Sequence, residues 1–233
     1  MAAAPAAKRV RVEEPKSYRT LDVGAMTAKV VKGKDDTYYL PLLDSETIRF
    51  VLTPDAPTKI TWGFDVAGNW ELRSFNSTAP KKGKGSESLP FRVELDSEQV
   101  EFLEKVDEQM KALFCEDATW VPVVVKNDKH EKPTAKINVC LSGADADLTS
   151  LKIKCGDLVE KGRGWDFLKT AADMRDSDKV AFTGAEVKIV AKLRAWKMKG
   201  QSDCITRAGI SLAATQLFIR PCLLYTSPSP QDS

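Results

Sequence analysis

Residues 185–196 alternate between two kinds of side chain, as a half-buried β-strand does. One face of this strand is apolar and comprises Val187, Ile189, Ala191, Leu193 and Ala195. The other face is mainly cationic, ends in an aromatic ring and comprises Lys188, Val190, Lys192, Arg194 and Trp196. Cations bind phosphates, and an indole offers a surface on which an unpaired base stacks at roughly 1–3 kcal/mol. The pattern therefore indicates either a strand face able to bind single-stranded nucleic acid or a solvated outer face whose lysines only discourage edge pairing.

Further cations and aromatic rings extend this candidate surface. The turn after the strand adds lysines, and a Ser-, Gly- and Lys-rich stretch at 76–88 predicts a mobile loop that projects positive charge. Simple solubility explains that loop equally well, and the stacking interpretation requires that tryptophans are exposed. The candidate nucleic-acid-binding residues are Lys188, Lys192, Arg194, Trp196, Lys197, Lys199, Trp62, Trp70, Lys81, Lys82 and Lys84.

The sequence shows no set of residues with the spacing of a catalytic or metal site. The single histidine, His130, lies in a charged turn at 126–132 without a positioned partner. The internal cysteines form no Cys-x-x-Cys pair, which disfavours a zinc site; they are Cys115, Cys140, Cys155 and Cys204. We therefore expect a binding protein with no metal and no cofactor rather than an enzyme, although two carboxylates alone suffice for some hydrolases.

Short strand-like segments separated by turn residues must position these side chains. They lie at 47–53, 59–64, 70–75, 90–95, 119–125, 135–141, 151–155, 185–196 and 207–219. One long helix is predicted at 97–114 after a capping Asp96 or Ser97. Its apolar residues recur at helical spacing and are Val100, Leu103, Val106, Met110, Leu113 and Phe114. A second, short helix is predicted at 167–174. The fold class is mainly β with one long α-helix.

Composition is that of a globular protein, with 42% hydrophobic and 29% charged residues. The length favours a single domain at 17–221. The formal net charge is only +2, so any basic binding surface has to be local. No segment approaches the roughly 20 apolar residues of a membrane-spanning helix, and we expect a soluble protein that does not bind membranes.

The two ends of the chain differ from the middle. Residues 1–16 are low in complexity and predict a disordered tail, in which Lys8, Arg9 and Arg11 resemble a short nuclear localisation signal. An import receptor and a nuclear location are then expected; the alternative is a solvated tail without a signal. Residues 222–233 resemble the translated read-through of a sequencing adaptor, with Gln231 in place of an arginine, and we treat them as a non-native tail.

The end of the predicted domain resembles a known family. A basic strand that ends in an aromatic residue, a polar turn, Gly209-Ile-Ser-Leu212 and then Gln216-Leu-Phe-Ile219 resemble the closing hairpin of OB-fold single-stranded DNA-binding proteins of the large eukaryotic DNA virus and phage type. The upstream order is also similar: Thr53-Pro54, Trp62-Gly63, a strand near Phe75, the helix from Ser97, and Trp120. The loop at 81–85 and the excursion at 162–165 depart from that pattern.

The resemblance covers about residues 47–219 and implies an OB-like, partly closed antiparallel barrel. It also implies sequence-nonspecific binding of single-stranded DNA that protects or organises unpaired strands during replication, repair or recombination. A preference for DNA over RNA and the oligomeric state stay open. The rival interpretation is a nuclear protein–protein interaction module with a β-sandwich or barrel fold.

Overall fold

The structure is a computed structural model of the whole chain. It describes residues 14–32, 37–62, 88–114, 118–126, 131–141, 149–164, 166, 170–171, 173–174, 180–199 and 205–223. The strand predicted at 70–75, the loop at 76–88 and most of the short helix at 167–174 lie outside these residues.

The described ranges contain short strands, one long helix and a long closing pair of strands. In chain order they are β1 (Lys16–Ser17), β2 (Thr27–Lys32), β3 (Thr37–Leu43), β4 (Glu46–Thr47), β5 (Arg49–Val51), β6 (Thr58–Trp62), β7 (Ser88–Glu94), α1 (Ser97–Phe114), β8 (Thr119–Val121), β9 (Val124–Val125), β10 (Thr134–Cys140), β11 (Ser150–Cys155), β12 (Leu158–Gly162), β13 (Val180–Lys199) and β14 (Thr206–Leu223). Single 3-10 turns span Tyr18–Thr20 and Val23–Ala25. The predicted class, mainly β with one long helix, is confirmed.

Helix α1 begins at a reciprocal capping box. The Gln99 amide N–H donates to Asp96 Oδ1 at 2.8 Å, and the Asp96 amide N–H donates to Gln99 Oε1 at 2.9 Å. The Gln99 side chain also donates to the Leu52 carbonyl at 2.9 Å, which ties the start of the helix to the segment after β5. The helix spans the predicted residues and buries Val100, Leu103, Val106 and Met110, but Leu113, in its last turn, is 41% exposed.

Strands β13 and β14 form a long antiparallel hairpin around which the other strands are arranged. The pairing runs from Lys199 opposite Thr206 to Val180 opposite Leu223. A bulge lies where Val190 pairs with Gln216 but Ala191 pairs with Ala214, which leaves Thr215 as the extra residue. A bulge bends a strand and changes the direction of its side chains, and this one divides the outer surface of the hairpin into two parts.

The hairpin closes a ring of hydrogen-bonded strands in the order β13, β6, β7, β10, β14 and back to β13. Additional strands extend this ring into an 11-stranded sheet across the described residues, so the fold is an OB-like ring rather than a clean barrel. Pairing is mostly antiparallel, as predicted. However, β8, β10 and β11 all run parallel to β14, which the sequence did not indicate. Parallel neighbours require crossover connections, which no local hairpin pattern reveals.

The inner side of the ring and α1 enclose one hydrophobic core. Its largest fully buried side chains include Phe50, Phe91, Phe182, Met26, Leu52 and Ile60. The antiparallel group β2, β3 and β4 forms a separate three-stranded sheet. Neither β2 nor β3 was predicted. No helix in the described part of the chain has the length and apolar character needed to cross a membrane.

Candidate nucleic-acid interface

The outer face of β13 carries the cationic residues that alternation predicts. Val187, Ile189 and Leu193 point into the core with at most 1% exposure, so the residues between them face outward. Lys188 is exposed, whereas Lys192 and Arg194 are half-buried. From position 188 to position 196 this face is roughly 26 Å long at about 3.3 Å per residue.

The outward-facing residues of β14 beside these cations have small side chains, so the cationic side chains of β13 can lie over the β14 surface. Lys192 pairs with Ala213, Arg194 pairs with Ser211, and the next outer residue of β14 is a glycine. A guanidinium nitrogen of Arg194 reaches the Cys140 thiol on β10 at 3.4 Å. The charge of β13 is therefore spread across the β14 surface.

Arg49 on β5 adds a further cation beside Lys192, its cross-strand partner. Its Nε donates to Thr215 Oγ1 at 3.1 Å, and that hydroxyl donates in turn to the Val190 carbonyl at 3.2 Å. The bulge residue thus fixes Arg49 on the outer surface. Arg49, Lys192 and Arg194 together form the cation cluster.

Trp196 ends this face and lies across Gly209, its cross-strand partner. The indole N–H donates to the Ile210 carbonyl at 3.2 Å, which fixes the ring on β14, and the side chain stays half-buried. A Cβ atom at position 209 would lie 2.9 Å from Trp196 Cζ2 and 2.6 Å from the Val121 carbonyl oxygen. The ring conformation therefore depends on a glycine at 209.

Replacing Gly209 by alanine should lower the free energy of unfolding by about 1–3 kcal/mol, the usual range for overpacking. The Val121 oxygen is backbone of the paired strand β8 and moves only if that pairing is disturbed. Urea denaturation monitored by circular dichroism measures the loss. The control is Gly24→Ala, because a Cβ there meets only Asp22 Oδ1 at 3.4 Å. Equal stability of the two variants would contradict the close packing at Gly209.

An aromatic platform that the sequence analysis missed lies at the opposite end of the hairpin. Phe218 on β14 has Lys188 as its partner on β13 and Lys152 as its partner on β11. Lys152 pairs in turn with Lys161 on the edge strand β12. Phe218 is half-buried, and the three lysines are exposed. The aromatic ring therefore lies in a row of cations that spans four strands.

Trp62, a predicted stacking residue, lies on a different part of the ring and is 54% exposed. Its cross-strand partner on β7 is Arg92, and the partner of Arg92 on β10 is Lys136. Lys136 precedes Ile137, which pairs with Leu212 of β14, so this row approaches the outer face of the hairpin. The structure thus places Trp62 next to cations but does not place it beside Trp196.

The remaining predicted residues do not join this face within the described part of the chain. Alternation places Lys197, which is half-buried and opposite Ala208, on the other face from Trp196. The side chain of Lys199 lies outside the described residues. So do Trp70, Lys81, Lys82, Lys84, Lys8, Arg9 and Arg11.

Acidic side chains are concentrated elsewhere. Arg19 is paired with Asp55 and Glu98 beside the start of α1, next to a cavity of about 330 Å³ that Lys59 and Lys132 also line. Across the described ranges, no three His, Cys, Asp or Glu side chains are grouped so that they could hold a metal ion. Between positions 188 and 196 of β13, the charged side chains on the outer face are all cations.

The fold is similar to solved single-stranded DNA-binding proteins of bacteriophages. For gp2.5 of bacteriophage T7 the TM-score is 0.42 at 10% identity, over 79% of this chain and 97% of that chain. For the bacteriophage Enc34 protein with a C-terminal truncation it is 0.39 at 9% identity, over 85% and 97%. For the Enc34 protein in complex with single-stranded DNA it is 0.36 at 8% identity, over 88% and 98%. No protein-family model matches the chain, and no curated protein matches it.

Proposed function

We propose that the chain binds single-stranded nucleic acid, with DNA as the favoured ligand, along the outer face of the β13–β14 hairpin. One observation carries this proposal: the face bears Lys188 and the cation cluster between two aromatic side chains, Phe218 and Trp196. The cations can bind phosphates, and unpaired bases can stack on the aromatic rings. A duplex keeps its bases stacked within the helix and offers only its phosphates, so it should bind less tightly.

The rival proposal, a protein-interaction module, requires a surface suited to another protein. The centre of a protein interface is depleted of lysine and enriched in arginine and aromatic residues. Lys188 and Lys192 on the hairpin therefore count against this proposal, whereas Arg194 and Trp196 are compatible with both. Protection or organisation of unpaired strands during replication, repair or recombination, and nuclear import through Lys8, Arg9 and Arg11, are part of the same proposal.

Neutralising two residues of the cation cluster tests the proposal. In the double variant Lys192→Gln and Arg194→Gln, affinity for oligo(dT) should fall, and the slope of log affinity against log salt should flatten by about one to two units. Each phosphate contact on a single strand contributes a slope of about −0.7. Fluorescence anisotropy over a series of salt concentrations measures both quantities.

The matched control removes the same charge from a distant surface. Lys105→Gln with Lys111→Gln neutralises two exposed lysines of α1 and should leave the slope unchanged.

Trp196→Ala should weaken binding by about 1–3 kcal/mol and leave the salt slope unchanged, because stacking is mainly non-ionic. The proposal fails if duplex DNA binds as tightly as the single strand, or if both double variants bind alike.

A further inference from the structure

Beside Phe218 the outer surface is concave. A groove with a volume of about 360 Å³ lies over two successive outward-facing cross-strand rows of β13, β14 and β11. One row contains Val190, Gln216 and Ser150; the next contains Lys188, Phe218 and Lys152. The size is that of a small-ligand site, which typically has a volume of about 300–1,000 Å³.

The groove has an apolar floor and one apolar wall. Val190, which is 8% exposed, pairs with Val51 of β5, and both line the groove. The wall continues into Thr53 and Pro54. This segment is fixed to β13, because the Ile189 amide donates to Thr53 Oγ1 at 2.8 Å and the Leu52 amide donates to the Ile189 carbonyl at 2.9 Å. The groove is therefore built on paired backbone rather than on a loose loop.

Phe218 has a different neighbour on each side along β14, and one of the two sides faces this groove. Side chains at i and i+2 share a face of a strand, so Arg220 and Gln216 flank Phe218 along β14. The guanidinium carbon of Arg220 lies 5.5 Å from the ring centroid and occupies one side. Gln216, on the other side, lines the groove together with the ring.

The charge of the groove is unbalanced. Lys152 and Lys188 flank the ring from the two neighbouring strands, about 10 Å apart across the sheet. In the described part of the chain, neither lysine forms an ion pair, and neither row contains a carboxylate. The next outward residue along β13 is Glu186, whose carboxylate pairs with Arg220 at 3.9 Å. An anionic ligand with a flat apolar portion is complementary to this arrangement.

We propose that this groove is a single-nucleotide subsite of the strand-binding face: one base stacks on Phe218, and Lys152 and Lys188 bind the phosphates on either side of it. This inference rests on the proposed function and makes it more specific. The Gln216 amide, which forms no hydrogen bond within the described ranges, contacts the edge of that base. A primary amide offers a donor and an acceptor together, the combination that pairs with adenine. The strand is thus bound without base preference along the cation cluster and with base preference at one position.

Substitutions at Phe218 test the stacking contact by fluorescence anisotropy with a labelled oligonucleotide of about 16 nucleotides, the upper end of the site size of one OB fold. Phe218→Ala should weaken binding by about 5- to 150-fold, the equivalent of losing one stacked base. The salt slope should not change, and Phe218→Trp should restore binding. Val159→Ala, which removes an exposed apolar side chain of β12 outside the groove, is the matched control and should bind like the wild type.

Gln216→Ala tests the base-edge contact. The ratio of affinities for oligo(dA) and oligo(dC) should change by about fivefold or more between this variant and the wild type, since the self-stacking of each oligonucleotide cancels in that comparison. An unchanged ratio overturns the base-edge contact, and a Phe218→Ala variant that binds like Val159→Ala overturns the subsite. In both cases the wild-type protein still binds oligo(dT) through the cation cluster. If the wild-type protein binds no single-stranded oligonucleotide at all, the proposed function itself is refuted.

Discussion

Phe50→Ala should lower the free energy of unfolding by about 3–5 kcal/mol, the range for removing a fully buried aromatic ring. Phe50 is 1% exposed and pairs with Ala191 of β13. Its ring contacts Phe102 of α1 edge to face, with the centroids 5.3 Å apart. Phe102 in turn contacts Tyr18, with the centroids 5.2 Å apart. Loss of Phe50 therefore leaves a cavity between the hairpin and the helix, where neighbouring strands are held by pairing and cannot collapse into it.

Urea denaturation checks this value, and Leu113→Ala is its control. Leu113 is a helix residue that is 41% exposed, so its replacement should cost less than about 1 kcal/mol. A double-mutant cycle of Phe50→Ala with Phe102→Ala should give a coupling of about 0.5–1.5 kcal/mol for the ring pair. Comparable stabilities of Phe50→Ala and Leu113→Ala would show that β5 does not pack against the helix.

Local patterns account for the elements that were predicted correctly. The helical spacing of Leu103, Val106 and Met110 records which side of α1 is buried, and Asp96 supplies the capping side chain. In β13 the alternation is strict because one side faces the core and the other faces solvent. Both signals are contained in fewer than about twenty consecutive residues, so no knowledge of partners is needed to interpret them.

The Phe218 groove could not be predicted in this way. Its residues come from strands that are distant in sequence and adjacent only through register: Lys152 lies opposite Phe218 because β11 runs parallel to β14. Alternation continued from the buried Ile210 and Leu212 would place Phe218 on the inner face of β14, and only the bulge at Thr215 turns it outward. One observable signal was the alternation in β11, where Lys152 and Lys154 are separated by the buried Ile153.

The contact between Trp196 and Gly209 illustrates the same limit. The sequence indicates an aromatic residue at the end of a cationic strand face. The half-burial of its ring follows from a glycine on the opposite strand and from the Ile210 carbonyl that accepts the indole N–H. The small sheet of β2, β3 and β4 was missed for a different reason, because Val30, which is 52% exposed, and other exposed side chains obscure the alternation there.

Asp107 ties helix α1 to the segment that follows it. This carboxyl group is 6% exposed; Oδ1 accepts the Trp120 indole N–H at 3.1 Å, and Oδ2 accepts the Val123 amide N–H at 2.8 Å. Burial raises the pKa of Asp107 from 3.8 to about 6 and outweighs the two hydrogen bonds, which favour the charged form; nearby Glu104 raises it further. The group therefore contributes to stability through its acceptors while opposing folding through its charge.

Asp107→Ala should lower the free energy of unfolding at pH 7 by about 2–4 kcal/mol, because it leaves the buried Val123 amide and the part-buried Trp120 indole N–H without an acceptor. The pH dependence has a definite sign. Between pH 4 and pH 6 the folded protein holds a proton on Asp107 that the unfolded chain has released, so the stability from this group falls as pH rises through that window. The wild type should lose about 1 kcal/mol from this source between pH 5 and pH 7.

Asp107→Asn keeps the size and one acceptor but cannot titrate, so the difference in stability between the wild type and this variant should shrink by that amount over the same interval. Urea denaturation at the two pH values measures it, and a difference that grows with pH would show that Asp107 is held ionised in the folded protein.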